Sequence, residues 1–320
     1  MRPLSSLVLF LVAVSASADC TSRTLLRAGG PIFAADVDRG VLHFSIFRQP
    51  AIQRVDEATG QTSAFFTADE VRNGWDIEDG TIAMLASATE LVLVTPDGSR
   101  RVIAEPSGIR RFNFHGGYVY WIAQDGILRR AGIDGSAVET VAAGVSTDYT
   151  ILEDRLLFTT ENGLYWQPLS GGAPALLLPR SGITGFAVTR DAVIVATSSP
   201  FDPNQSSAQI LRVPWTGAPV ETIYEYSIKG YTPRVTLTPV VAGATTYIIR
   251  TVTMHFFTTT STLIVLRNGV AHERYGASIS PFQVIAADED QVTVGQWIDA
   301  GGMRQIERIC AAAPKIRAVR

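Results

Sequence analysis

Histidine is scarce in this chain, and so is every other group that commonly carries chemistry. Four histidines occur in 320 residues, at His43, His115, His255 and His272. None has a second histidine two to five residues away, which excludes a local zinc motif. Cysteine occurs only at Cys20 and Cys310, again without neighbouring ligands. No G-x-S-x-G elbow, phosphate loop or dinucleotide fingerprint is present. Charged residues make up 18% of the chain and the net charge is −3, so there is no basic field for nucleic acid and no acidic tail. Arginine pairs at Arg100-Arg101, Arg110-Arg111 and Arg129-Arg130 read as solvated strand faces. After the first residues no apolar run reaches the 18–20 residues a membrane helix needs. The sequence therefore nominates no catalytic residue, no cofactor, no metal site and no membrane span. Helical periodicity is missing as well, since no window repeats apolar residues at i, i+3, i+4 and i+7.

The N-terminus reads as a targeting segment. Arg2 is its positive end, Leu4–Val14 a short apolar core and Ala16-Ser17-Ala18 an A-x-A cleavage site. Residues 1–18 are thus expected to be a signal peptide, with a secreted or periplasmic chain starting at Asp19. Two cysteines in an exported protein read as one disulfide, Cys20 to Cys310. The alternative is a lipid anchor on Cys20, which Asp19 disfavours because lipid-anchor signals want a small residue there.

Short strands rich in Val, Ile, Thr, Tyr and Phe fill the remainder, divided by Gly, Asn and Asp turns. The clearest stretch is Tyr118–Gly144, in which Tyr118–Ile122, Ile127–Ala131 and Ala137–Ala142 are three strands and Gln124-Asp125-Gly126 is hairpin chemistry. The first apolar residue of the strand after each such hairpin falls at Ile52, Leu91, Ile127, Leu164, Ile210, Leu263 and Ile306, spaced 39, 36, 37, 46, 53 and 43 residues apart. Periods of this size indicate repeated sheets around a ring. Four of the seven have Ile-x-Arg, which places both side chains on one strand face. The arginine stems at Arg54, Arg129 and Arg212 are expected to cover apolar surface while their heads reach acceptors.

The seventh unit stops at Cys310 without a last strand, whereas Ser22–Ala28 is a strand without a unit. Pairing them completes a seventh blade, closes the ring and brings Cys20 beside Cys310. The expected fold is all-β, a seven-bladed β-propeller over residues 19–310 closed by its N-terminal strand, with six blades as the alternative. Residues 311–320 form a short basic tail.

Tyr120-Trp121-Ile122-Ala123, followed by Ile127-x-Arg129 and Ile133-Asp134-Gly135, resembles the YWTD-type β-propeller repeat and the degenerate repeats of exported bacterial propellers. Ile210-Leu211-Arg212-Val213-Pro214 with Thr216-Gly217 is similar to a second copy. Ala123 stands where that repeat has its acidic residue. The resemblance implies a propeller; YWTD rings have six blades, whereas this chain has seven units.

Two insertions interrupt the repeat, 198–207 in the fifth unit and 254–261 in the sixth. His255, Phe256 and Phe257 stand in the second and are candidate contacts for a sugar or protein. Asp202 and Asn204 in the first are two oxygen donors, a set too small to define a calcium site. The expected function is an exported, monomeric binding or interaction module for a protein, small-molecule or carbohydrate ligand. The alternative is a propeller lyase or hydrolase whose site lies at the central channel, assembled from different blades.

Overall fold

The computed structural model describes residues 23–310, except 57–58, 135, 147, 200–201, 203, 231–232, 255–257, 268, 278–281, 288–290 and 300–301. Strands dominate, and the helical content of the described residues is one 3-10 turn at Asp69–Asn73. Five sheets have four antiparallel strands each. A sixth has seven, because the long strand Arg23–Asp38 belongs to two blades. Its first half pairs with Gly302–Cys310, placing Arg23 opposite Arg308, and its second half pairs with Val41–Ile46, placing Asp36 opposite His43. Divided there, the sheets are seven blades. The N-terminal strand is the outer strand of the last blade and runs directly into the inner strand of the first.

Seven apolar clusters give the same count, one at each blade interface. Trp121 and Phe114 of blade 3 pack with Ala83, Leu91 and Leu93 of blade 2. Leu25, Leu26 and Ile306 of blade 7 pack with Leu42, Phe44 and Val55 of blade 1. The remaining five join blades 1–2, 3–4, 4–5, 5–6 and 6–7. Each sheet thus buries both faces, which explains strands that read as nearly continuous apolar runs. A single sheet cannot cover both of its own apolar faces, and the ring supplies the cover.

Ile52, Leu91, Leu164, Ile210, Leu263 and Ile306 are all essentially inaccessible and face the following blade. Blade 3 differs. Its third strand is Leu128–Gly132, and Leu128, not Ile127, fills that position. The turn from Ala123 to Ile127, closed by the Ala123 N–H to the Ile127 carbonyl, takes up the extra residue. The equivalent arginines are therefore Arg54, Arg130 and Arg212. Each faces the next blade and meets the outer-strand residue directly opposite it, Ser63, Glu139 and Glu221 respectively. Arg129 points the other way, toward Glu105 of the link from blade 2, at 3.2 Å. None of Arg54, Arg129 and Arg212 extends freely into solvent.

Candidate functional site

Chain direction fixes which segments share a ring face. Inner strands run from one face to the other, second strands return, and so on. All second-to-third-strand hairpins therefore lie on the same face as the links between blades, here called the linker face. The other turns lie opposite.

The linker face is uneven. Third strands have five or six residues in blades 1–4 but nine or ten in blades 5–7. Both insertions seen in the sequence fall in these taller hairpins, between Ala192–Ser198 and Gln205–Pro214 and between Thr245–Met254 and Thr258–Arg267. Blades 5–7 thus form a raised wall on one side of the ring.

Where the wall begins, it stands over a shorter neighbour. The hairpin of blade 4 ends at the pair Thr160–Gly163, level with Thr197–Gln209 of blade 5. Below that level blade 5 presents Val193, Val195, Leu211 and Val213 to blade 4. Above it the same face turns polar, with Ser199 and Ser207 continuing from Thr197 and Gln209. The loss of a covering sheet and the change of side-chain type coincide, as burial requires. The link 180–182 borders the space, an open cavity of about 510 Å³ lined by Arg180, Ser181, Gly182, Thr197–Ser199 and Ser207–Gln209. An Arg180 guanidinium N–H donates to Gln209 Oε1 at 3.0 Å. The Ser198 N–H donates to the Gly182 carbonyl at 2.9 Å. Gly182 has φ +73°, and a Cβ there would stand 2.8 Å from the Ser198 carbonyl oxygen, so only glycine fits this floor without movement. Among the described residues the hydroxyls of Ser181 and Ser207 have no hydrogen-bond partner; Ser198 borders the cavity with its backbone.

Among the described residues blade 1 contributes an aromatic surface to the linker face. Phe33 and Phe47 are exposed, with ring centroids 6.2 Å apart, and the Arg48 guanidinium lies 5.1 Å from the Phe47 ring.

The inner strands carry a second polar group. Asp36, Asp76, Asn113 and Thr150 occupy the same register position in blades 1–4, each opposite the third residue of its second strand. Ala187 and Val240 take that position in blades 5 and 6. At this position the inner strands are polar in blades 1–4 and apolar in blades 5 and 6. Asp76 accepts the Ile77 N–H at 3.0 Å and, from the inner strand of blade 3, the Phe114 N–H at 2.7 Å. Burial, a hydrogen bond shared with the Asp36 carboxyl and the charge of Asp36 push Asp76 up to about 7. Two residues further along, Asp38 accepts the Asp79 and Gly80 N–H groups and Glu78 accepts the Gly116 N–H. These acids fasten the inner strand of blade 1 to that of blade 2, and blade 2 to blade 3. Higher up, Arg111 pairs with Asp148. Burial nevertheless raises the Asp148 carboxyl above the usual range against the pull of Arg111.

The other sequence candidates lie apart from both groups. His43 is buried in blade 1 with its ring edge-on to Phe65, and burial lowers its pKa. His115 ends the inner strand of blade 3 beside Gly116-Gly117. Asp202 accepts the Asn204 N–H at 2.8 Å, an ordinary turn bond. His255, Phe256, Phe257 and Cys20 lie outside the described residues, and Cys310 ends its strand opposite Gln291. Among the described residues no three His, Cys, Asp or Glu side chains gather as a metal site, and no helix is long and apolar enough to cross a membrane. Sequence reasoning missed the cavity and the carboxyl pair. The pair had a signal, Asp36-Val37-Asp38-Arg39-Gly40 and Asp76-Ile77-Glu78-Asp79-Gly80, the same acid-x-acid-x-Gly pattern forty residues apart.

These features define a seven-bladed β-propeller with a raised, pocketed linker face. Known folds agree. The chain is similar to YCF48 from Cyanidioschyzon merolae (TM-score 0.56, 6% identity, covering 91% of this chain and 98% of that one). It is also similar to the AfRom2 CNH domain (0.57, 10%, 90% and 99%) and to Kluyveromyces lactis Hsv2 (0.54, 8%, 83% and 90%). At such identities the likeness is one of fold alone. No protein family and no curated protein matches the sequence.

Proposed function

We propose that the protein is an exported binding module that takes its ligand on the linker face, against the wall of blades 5–7. The observation that carries this reading is the coincidence of the raised hairpins, the cavity at their foot and its unpartnered hydroxyls. Loops of a closed ring are free to vary because the sheets hold them. A thermal-shift panel of saccharides, organic acids and short peptides tests it, run on wild type and on a variant with 199–206 replaced by a two-residue Asn-Gly turn. A ligand at 100 times its Kd stabilises by about 2.7 kcal/mol. At least one class is expected to raise the melting temperature of wild type and not of the shortened variant. A panel in which every shift survives the shortening contradicts the reading.

A second reading, a hydrolase or lyase of the channel, is favoured by the Asp36–Asp76 pair, since a carboxyl titrating near 7 is a common catalytic device. Against it, Asp76 already accepts two backbone N–H groups and Asp36 accepts the Val37 N–H. Carboxyls that share a hydrogen bond also stand closer than the roughly 5–9.5 Å separation of a glycosidase pair.

The YWTD-like repeat belongs to this proposal as a packing device. Trp121 is fully buried between blades 2 and 3, where it can support a ring of either blade number. Export through residues 1–18 and a Cys20–Cys310 disulfide are proposed with the binding role. The pairing of Arg23 with Arg308, three and two residues from the cysteines, supports the disulfide. The exported chain is expected to have a mass that starts at Asp19 and is two hydrogens light. A diacylglycerol-modified N-terminus at Cys20 rejects both the disulfide and the free soluble form.

A further inference from the structure

We infer that the cavity between blades 4 and 5 binds a small sugar acid, a polyhydroxylated compound with one carboxylate, as in a uronate. The inference rests on the linker face being the recognition surface and names the ligand class for it.

Charge selects the anion. Among the described residues that line the cavity Arg180 is the one that carries a charge, and none is a carboxylate. One guanidinium N–H is held by Gln209 Oε1, which orients the planar group and leaves its other donors for a ligand. That fork matches a carboxylate in two parallel hydrogen bonds. A single cation balances one negative charge, which suits a carboxylate better than a dianionic phosphate.

The remaining lining selects hydroxyls. Ser181 and Ser207 each offer a donor and acceptor sites, unused among the described residues. With Gln209 Oε1 engaged by Arg180, its amide N–H groups are free to donate. An apolar ligand would strand all of these groups without water, whereas a ring of secondary hydroxyls satisfies them. The volume of about 510 Å³ lies within the range of small-molecule sites, roughly 300–1,000 Å³. The Ser198–Gly182 backbone bond and the glycine floor hold the two sides of the cavity together before any ligand arrives, and such preorganisation limits the entropy lost on binding.

The test is calorimetric titration of the full exported chain with D-galacturonate, with D-galactose, which differs only at C6, and with inorganic phosphate. Galacturonate is expected to bind at least tenfold more tightly than either. Arg180→Ala should abolish that advantage and Arg180→Lys should restore part of it, with unchanged melting temperatures because Arg180 is exposed. Equal affinity for galactose, tighter binding of phosphate, or galacturonate binding indifferent to Arg180→Ala overturns the inference. So does the absence of binding by all three probes. Any of these leaves the linker-face reading standing, because the hairpin-shortening panel judges that separately.

Discussion

Asp76→Asn is expected to stabilise the folded protein at pH 8 by about 2–4 kcal/mol. The sign follows from where the proton binds. Asp76 is raised from 3.8 to about 7 in the folded chain by burial and by the Asp36 carboxyl, so the folded state holds its proton more tightly than the unfolded state does. Below about pH 4 both states are protonated and the residue costs nothing. As pH climbs to about 7 the unfolded carboxyl ionises freely while the folded one resists. The penalty grows by about 1.36 kcal/mol per pH unit and is complete above 7. Asparagine keeps an oxygen for the Phe114 N–H, gives up the longer Ile77 bond to turn its amide N–H toward Asp36, and cannot ionise. Urea denaturation at pH 4, 6 and 8 checks this. The gain of the variant should be small at pH 4 and grow with pH; a variant less stable than wild type at pH 8, or a gain indifferent to pH, contradicts it. If Asp76 serves catalysis instead, the same variant must lose a turnover that wild type shows.

Glu105→Ala is expected to destabilise by about 2–3 kcal/mol, the upper part of the range for leaving a buried donor unsatisfied. Glu105 is 4% exposed in the link between blades 2 and 3. Its carboxylate accepts the Trp121 indole N–H at 2.9 Å and the Ser107 hydroxyl at 2.6 Å, and meets Arg129 at 3.2 Å. Removing it leaves a fully buried indole N–H without its acceptor, while Arg129 keeps Asp125 as its counter-charge at 3.1 Å. Burial alone would raise this carboxyl, but Ser107, Trp121 and Arg129 together hold it below the usual range. Its stabilisation is therefore present above the unfolded value of 4.5 and fades as pH falls through the lower folded value, the reverse of Asp76. Glu105→Gln keeps an acceptor for Trp121 and should lose less. Equilibrium denaturation at pH 7 decides, and a loss under about 1 kcal/mol for Glu105→Ala would show that blades 2 and 3 do not depend on this contact.

The ring was legible because its periodicity is carried by single buried positions. Ile52, Leu91, Leu164, Ile210, Leu263 and Ile306 each fill the same place between blades, and the surplus strand at 23–28 could go only to the blade that lacked one. Blade 3 was misaligned by one residue because Ile127 and Leu128 are both apolar, and sequence alone does not say whether a turn ends at Gly126 or after Ile127. That slip moved Arg129 to the wrong side of its sheet, since side chains alternate. The cavity was not legible, because it arises from a difference in height between blades. Arg180 and Ser181 look like an ordinary link until Thr160–Gly163 is seen to stop level with Thr197–Gln209. The Asp36–Asp76 contact was not legible either, because it joins inner strands of separate blades. Only the repeated acid-x-acid-x-Gly pattern marked it.

Amide hydrogen exchange of the full chain, with and without saturating D-galacturonate, tests most directly whether the linker face beside the wall is where this propeller binds. The account predicts slowed exchange confined to 180–182, 197–199 and 205–209, with the inner strands carrying Asp36, Asp76 and Asn113 unchanged. Protection centred on those inner strands or on the opposite face, with none around Arg180, would contradict it.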